Sequence, residues 1–284
     1  MIKVNDKDLD MILFPDGTPL LRLPVTEYFQ TMPINNVLKD LSATDKPVII
    51  TWKYDSDAEF LRVNYIVNHL RSKGIQHIHL YMPYIPNARF DRVKKEDEIF
   101  TLKYFANLIN DMNFDSVTAL DPHSYVSEAL IDNLKVIEPT DYIFKVLSDI
   151  PDHDNLMLYF PDEGAMKRYS HMAEKFHLPF AFGIKKRDWR NGNIIGIEIA
   201  GLTEDITDKQ VLIVDDICSK GGTFYYAAKA LKEINAGDIY LYISHCENAI
   251  LEGNLINSNL VKTIFTTDSI YREEHPLIKV VNNW

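Results

Sequence analysis

Short apolar runs alternate along the chain with longer stretches whose apolar residues recur every three or four positions. The runs at 47–52, 116–120, 155–160, 179–184, 193–199, 210–214 and 239–244 are rich in Val, Ile, Leu, Phe and Tyr and predict buried strands. Residues 76–82 alternate apolar and polar, and predict a further strand. Between them, Phe60, Val63, Val67 and Leu70 share one face of a helix capped by Ser56 and ended by Gly74. Leu102, Phe105, Ile109 and Met112 share a second helical face, and further helices are expected over 163–176 and 225–234. Repeated strand–helix order predicts an α/β fold of mostly parallel sheets with helices on both faces. The pattern restarts near Glu138, so two similar α/β domains are expected, residues 1–138 and 139–284.

In such sheets ligands bind at the carboxyl ends of strands. Asp121 with His123, Asp162, the basic run Lys185 to Arg187, and Asp215 with Asp216 all follow predicted strands directly. The last group is the most informative. The apolar run Val211 to Val214 leads into Asp215 and Asp216, then the turn Cys218, Ser219, Lys220, Gly221, Gly222 and Thr223, then a helix. Backbone N–H groups of such a turn and the positive end of a helix hold a phosphate. The paired acids can accept hydrogen bonds from vicinal ribose hydroxyls.

Composition narrows the class. Hydrophobic residues make up 46% of the 284, and no apolar run approaches a membrane span, so a soluble protein with no membrane partner is expected. The N-terminus lacks a signal-peptide layout and there are only two cysteines, which makes the cytoplasm the expected compartment. A net charge of −11 argues against nucleic acid as a partner. The cations that exist are clustered: Arg89, Arg92, Lys94 and Lys95; Lys167 and Arg168; Lys185, Lys186, Arg187 and Arg190. Alone, each run reads equally as solvated surface. No dinucleotide-binding or P-loop glycine pattern occurs, and no Cys/His spacing suits zinc. His77 and His79 read as packing or edge residues. Cys218 precedes a helix N-terminus, which is expected to lower its pKa, but a nucleophilic role is not indicated.

The segment PYIPNARFDR at 83–92 resembles the ATP-binding segment of the ribose-phosphate pyrophosphokinases, the PRPP synthetases. In order along the chain, DPHS at 121–124, PDEGAMKR at 161–168, KKRDWRN at 185–191 and DDICSKGGT at 215–223 are similar to that family's other motifs. His245 and residues 266–268 also follow its pattern. The resemblance implies two phosphoribosyltransferase-type domains and transfer of the β,γ-diphosphate of ATP to the anomeric hydroxyl of a ribose 5-phosphoryl small molecule, releasing AMP. It implies that Arg89, Phe90, Arg92 and His123 bind ATP, and that His123 and Asp162 serve Mg²⁺. Lys185 and Arg187, on a flexible catalytic loop, would stabilise the transferring phosphoryl oxygens. Asp215, Asp216 and residues 218–223 would hold the acceptor. FPDGT at 14–18 resembles a turn through which a neighbouring subunit contacts adenine. Carried over, Phe14 stacks on the base, Asp16 accepts from its amino group, and the protein is a homo-oligomer, at least a dimer. Read from its residues alone, the same segment is a hairpin turn.

Departures from the family pattern bear on the acceptor. Lys220 replaces a threonine, Phe90 a glutamine, Asn87 a tyrosine, Val126 a glutamine and Thr18 a glutamate. The strand–helix unit that normally precedes the 14–18 turn is expected to be missing, and the chain stops short of the usual C-terminal helix. Lys220 and the trimmed ends lean towards a branch that uses ADP-ribose and makes ADP-ribose pyrophosphate for NAD synthesis, with ribose 5-phosphate as the alternative acceptor. A phosphoribosyltransferase would share only the 215–223 loop. A non-catalytic relative would be expected to lack Lys185, Arg187 or His123, and all three are present.

Overall fold

A computed structural model describes residues 2–5, 10–13, 19–22, 47–187, 194–202 and 205–282; the strands before residue 23, His153, residues 185–187 and residues 194–195 are described by backbone alone. The chain divides into two compact units, Met1–Ile137 and Glu138–Trp284. Among the described residues no helix is long and apolar enough to cross a membrane.

The first unit is built on a parallel sheet of β1 (Ile2–Asn5), β4 (Val48–Thr51), β5 (Ile78–Tyr81), β6 (Ser116–Leu120) and β7 (Leu134–Ile137), in that spatial order. β2 (Asp10–Leu13) and β3 (Pro19–Arg22) form a separate antiparallel pair. β1, parallel to β4, corrects the strand part of the expectation that the strand–helix unit before the 14–18 turn is missing. Of the described helices, α1 (Ala58–Ser72), α2 (Thr101–Asn110) and the short α3 (Val126–Leu130) belong to this unit. The predicted apolar faces are those that are buried: Val63, Val67 and Leu70 on α1, and Leu102, Phe105 and Ile109 on α2, with Phe60 packed at the edge. Ser56 does not cap α1. The helix opens at Asp57 without a side-chain cap. Instead the buried Glu59 accepts from Trp52 Nε1 at 3.1 Å and from the Asp55 amide at 2.8 Å, tying the end of β4 to the helix start. His77 and His79 are structural, bonding Asp115 at 2.7 Å and Ser116 at 2.8 Å.

The second unit carries a sheet in the order β10 (Ile194–Ala200), β9 (Phe180–Arg187), β8 (Leu156–Phe160), β11 (Gln210–Cys218), β12 (Ile239–Cys246), β13 (Thr263–Thr266) and β14 (Ile278–Val280). All neighbours are parallel except the β9–β10 hairpin. Helices α4 (Thr140–Asp149), α5 (Glu163–Phe176) and α6 (Gly222–Glu233) complete it. α5 spans the predicted residues, opening where Asp162 Oδ1 accepts from the Ala165 amide at 2.9 Å and closing at His177, which has left-handed backbone. β11 is bonded on both edges, and Gln210 to Val214 are all buried, which accounts for an uninterrupted apolar run.

The core of this unit centres on that strand. Ile213 is fully buried, and Ile213→Ala is expected to lower unfolding stability by about 2–5 kcal/mol in urea denaturation followed by circular dichroism. A loss below about 1 kcal/mol would show that the strand is not the packed centre.

Candidate active site

β11 does not stop at the acids. It continues four residues further than the apolar run, through Asp215, Asp216 and Ile217 to Cys218, because β12 pairs with it in register to the end, Cys218 opposite Cys246. Successive strand residues face opposite sides of a sheet, so the two acids have different surroundings. Asp216 is buried, and its Oδ1 meets Arg168 Nη2 of α5 at 2.9 Å. The Arg168 guanidinium also bonds the Tyr169 hydroxyl and lies over the Tyr169 ring, 4.7 Å from its centroid. Asp215 keeps some contact with solvent, and its Oδ1 accepts from the Asp216 amide at 3.0 Å. Burial, and next the Asp216 carboxylate, push the Asp215 carboxyl well above its usual range, with Arg168 pulling the other way.

After Cys218 the chain makes a short loop into α6. Gly221 has φ +73°, the left-handed region that glycine enters without strain. This turn aims the first amides of α6, which have no partner within the helix, out of its N-terminus. Gly222 faces open space: beyond its chain neighbours and its own helix backbone, no atom lies within 4 Å of where a Cβ would stand. A 3₁₀ turn, Asn248–Glu252, lies against the loop. The Glu247 amide donates to the Cys218 carbonyl at 2.8 Å, and Gly253 packs so closely that a Cβ there would lie 1.9 Å from the Lys220 carbonyl oxygen. The Lys220 ammonium meets Glu252 Oε2 at 2.8 Å, and that carboxylate raises the lysine pKa. Serine and threonine of the loop, Ser219 and Thr223, are partly exposed.

Cys218 corrects the sequence expectation. Its thiol is pushed well above the usual value, by a hydrogen bond with Cys246 and then by burial, and not lowered by the helix. The strand pairing that buries it outweighs a helix dipole whose first turn begins only after three more loop residues.

Lys185 and Arg187 are also placed differently from the expected loop. β9 runs through them to Arg187, with Lys185 opposite Ile197 and Arg187 opposite Ile194, across a register shift between Ile194 and Gly196. Charged residues carry no apolar pattern, so the strand is hidden from periodicity although its backbone is paired. Trp189 and Arg190 lie outside the described residues, as do Phe14, Asp16 and Thr18 and with them the expected adenine contact across a dimer.

In the first unit, Arg89, Phe90 and Arg92 follow β5 and His123 follows β6, its neighbour, so they share the carboxyl-terminal edge of one sheet. Ile85 and Ala88 are buried and anchor the segment, while Arg89, Phe90 and Arg92 point outward. Phe90 is 61% exposed, and Arg92 Nε lies 3.3 Å from Asp91. The Leu120 amide donates to the Pro83 carbonyl at 2.9 Å, which fixes the start of this segment to the end of β6. Among the described residues no group of three His, Cys, Asp or Glu side chains is arranged to hold a metal. Asp162 stands at the end of β8, one of its oxygens capping α5.

Two participants were missed in the sequence. Arg168 lies within PDEGAMKR, and its signal was a basic residue on the helix following an acid-ended strand. Glu252 reaches Lys220 from 32 positions away in a 3₁₀ turn and has no local signal.

Residues 136–263 match the Phosphoribosyl transferase domain. The chain is 28% identical over 261 residues to a ribose-phosphate pyrophosphokinase of Bradyrhizobium diazoefficiens, covering 89% of this chain and 78% of that protein. It is 23% identical over 286 residues to one from Saccharolobus solfataricus, covering 99% and 89%. The fold is similar to the crystal structure of phosphoribosylpyrophosphate synthetase from Mycobacterium smegmatis, with a TM-score of 0.73 at 17% identity, over 96% of this chain and 85% of that one.

Two outcomes test the site's electrostatics. Arg168→Met, which leaves Asp216 buried without its guanidinium, is expected to cost about 3 kcal/mol in urea denaturation; a loss under about 0.5 would refute the pair's role. Native Cys218 is expected to resist iodoacetamide at pH 8 and to be alkylated only on unfolding, as mass spectrometry of the digested protein would read; rapid native labelling would contradict a raised thiol pKa.

Proposed function

On the premise that the chain is a relative of the ribose-phosphate pyrophosphokinases, we propose that it transfers the β,γ-diphosphate of ATP to the anomeric hydroxyl of ribose 5-phosphate and releases AMP. The observation that carries this reading is the extent of the similarity. It covers 89% of the chain, well beyond the 136–263 match that a phosphoribosyltransferase alone would share. The segment at 83–92 and His123 fall in that additional part.

In this reading Arg89 and Arg92 grip the ATP phosphates, whose oxygens match a guanidinium fork, and the exposed ring of Phe90 offers an apolar face to the base. His123 bonds the phosphates. Lys185 and Arg187 stabilise charge on the transferring phosphoryl group, where positioned cations do most of the catalytic work. The amides at the start of α6, with Ser219 and Thr223, hold the acceptor's 5′-phosphate. Asp215 and Asp216 accept from its ribose hydroxyls, with Asp216 set by Arg168. Cys218 serves as structure beneath the loop, as its burial favours. Mg²⁺ would neutralise phosphate charge. A single carboxylate, Asp162, fits an ion that takes most of its oxygens from phosphate and water, whereas the nitrogen of His123 fits so hard a cation less well.

Ribose 5-phosphate is preferred over ADP-ribose because the relatives are named ribose-phosphate pyrophosphokinases. ADP-ribose remains the second reading, favoured by the length and charge of the Lys220 side chain. We further place the protein in the cytoplasm, where ATP and sugar phosphates are found.

The purified protein, given ATP and Mg²⁺, is expected to release AMP at least tenfold faster with ribose 5-phosphate than with ADP-ribose; the opposite order would restore the second reading. Lys185→Ala is expected to lower kcat by about 10²–10³. Unchanged turnover would remove Lys185 from the mechanism.

A further inference from the structure

Lys220 is the charged side chain of residues 218–223, and its partner comes from outside the loop. Glu252 closes the 3₁₀ turn that straps the loop, and the Nζ–Oε2 distance is 2.8 Å. The strap is held by backbone, through the Glu247 amide on the Cys218 carbonyl and the tight approach of Gly253 to the Lys220 carbonyl. Leu255 lies over Gly221 from the same segment, 3.3 Å from where a Cβ would stand. The side-chain pair is therefore not needed to keep the strap in place. Both side chains are about two-thirds exposed, 66% and 68%, so water screens their attraction and the pair is easily broken. Two residues further on, Gly222 faces open space at the helix start, room for a ligand phosphate.

We propose that Glu252 sets the affinity of this loop for the acceptor's 5′-phosphate by competing with that phosphate for the Lys220 ammonium. This rests on the reading of the loop as the acceptor-phosphate site. A phosphate monoester carries nearly two charges near neutral pH and three strong acceptor oxygens. It outbids one exposed carboxylate for the ammonium, and the displaced Glu252 then stays close enough to repel it. Glu252 thus lowers affinity for singly phosphorylated acceptors and favours their release. It touches no reacting atom and acts as a specificity-determining residue through Lys220.

The test compares wild type, Glu252→Gln, Lys220→Gln and the double variant by calorimetric titration with ribose 5-phosphate, alongside steady-state AMP release. Glu252→Gln is expected to tighten the Kd and lower KM by roughly two- to fivefold, with kcat little changed, the scale of one exposed ion pair. The gain should shrink as salt is raised and be smaller in the Lys220→Gln background. A Kd unchanged by Glu252→Gln, or a gain equal in both backgrounds, overturns the proposal. Binding is read without turnover, so the two readings separate. Tight binding with no AMP release would defeat the proposed reaction while leaving Glu252 to be judged by the Kd ratio. Absence of binding to every variant would overturn both.

Discussion

The parallel ladders on both edges of β11 are the constraint from which the site follows. Gln210 to Ile213 pair with β8, and Val211 to Cys218 pair with β12. Because pairing with β12 continues past the apolar run, the strand carries two acids and a thiol into the protein with it. Each then needs compensation. Asp216 obtains it from Arg168, and Cys218 is held as a neutral thiol against Cys246. Burial and the Asp216 carboxylate drive the Asp215 carboxyl upward. Removing a partner from such a buried charge costs far more than the pair itself contributes, so Asp216 depends on Arg168 for its place in the sheet.

The loop after β11 is shaped by a different economy. Gly221 takes the left-handed backbone, Gly222 leaves the helix start uncovered, and the strap after β12 supports the loop from its neighbour strand. Donors are thereby fixed in place before any ligand arrives. For diphosphate transfer this matters, since the reaction asks the protein mainly to hold its reactants in line and to meet developing charge.

The α/β class, strands β8 to β12 and α5 were legible because those strands are apolar runs and the helix repeats its apolar residues every three or four positions. Val63, Val67 and Leu70 face the core for the reason their spacing implied. Four features were not legible in that way. β7, β13 and β14 interrupt their apolar residues with Lys135, with Thr263 and Thr266, and with Lys279, so they do not stand out as runs. Lys185 to Arg187 lie on a strand through backbone pairing with β10, which side-chain pattern does not report. The state of Cys218 depends on Cys246, its partner across a ladder between strands 28 residues apart. The Lys220–Glu252 pair likewise joins segments that only the fold brings together. Motif order pointed to the chemistry, while the partners that tune it come from tertiary contacts.

The central claim is that both terminal phosphoryl groups of ATP leave together for a sugar. Incubation with ribose 5-phosphate and ATP labelled at the β-phosphorus tests it directly. The account predicts that the label appears in a sugar product heavier by two phosphoryl groups, with unlabelled AMP as the other product. Labelled ADP with a sugar gaining a single phosphoryl group, or label remaining in unreacted ATP, would contradict it.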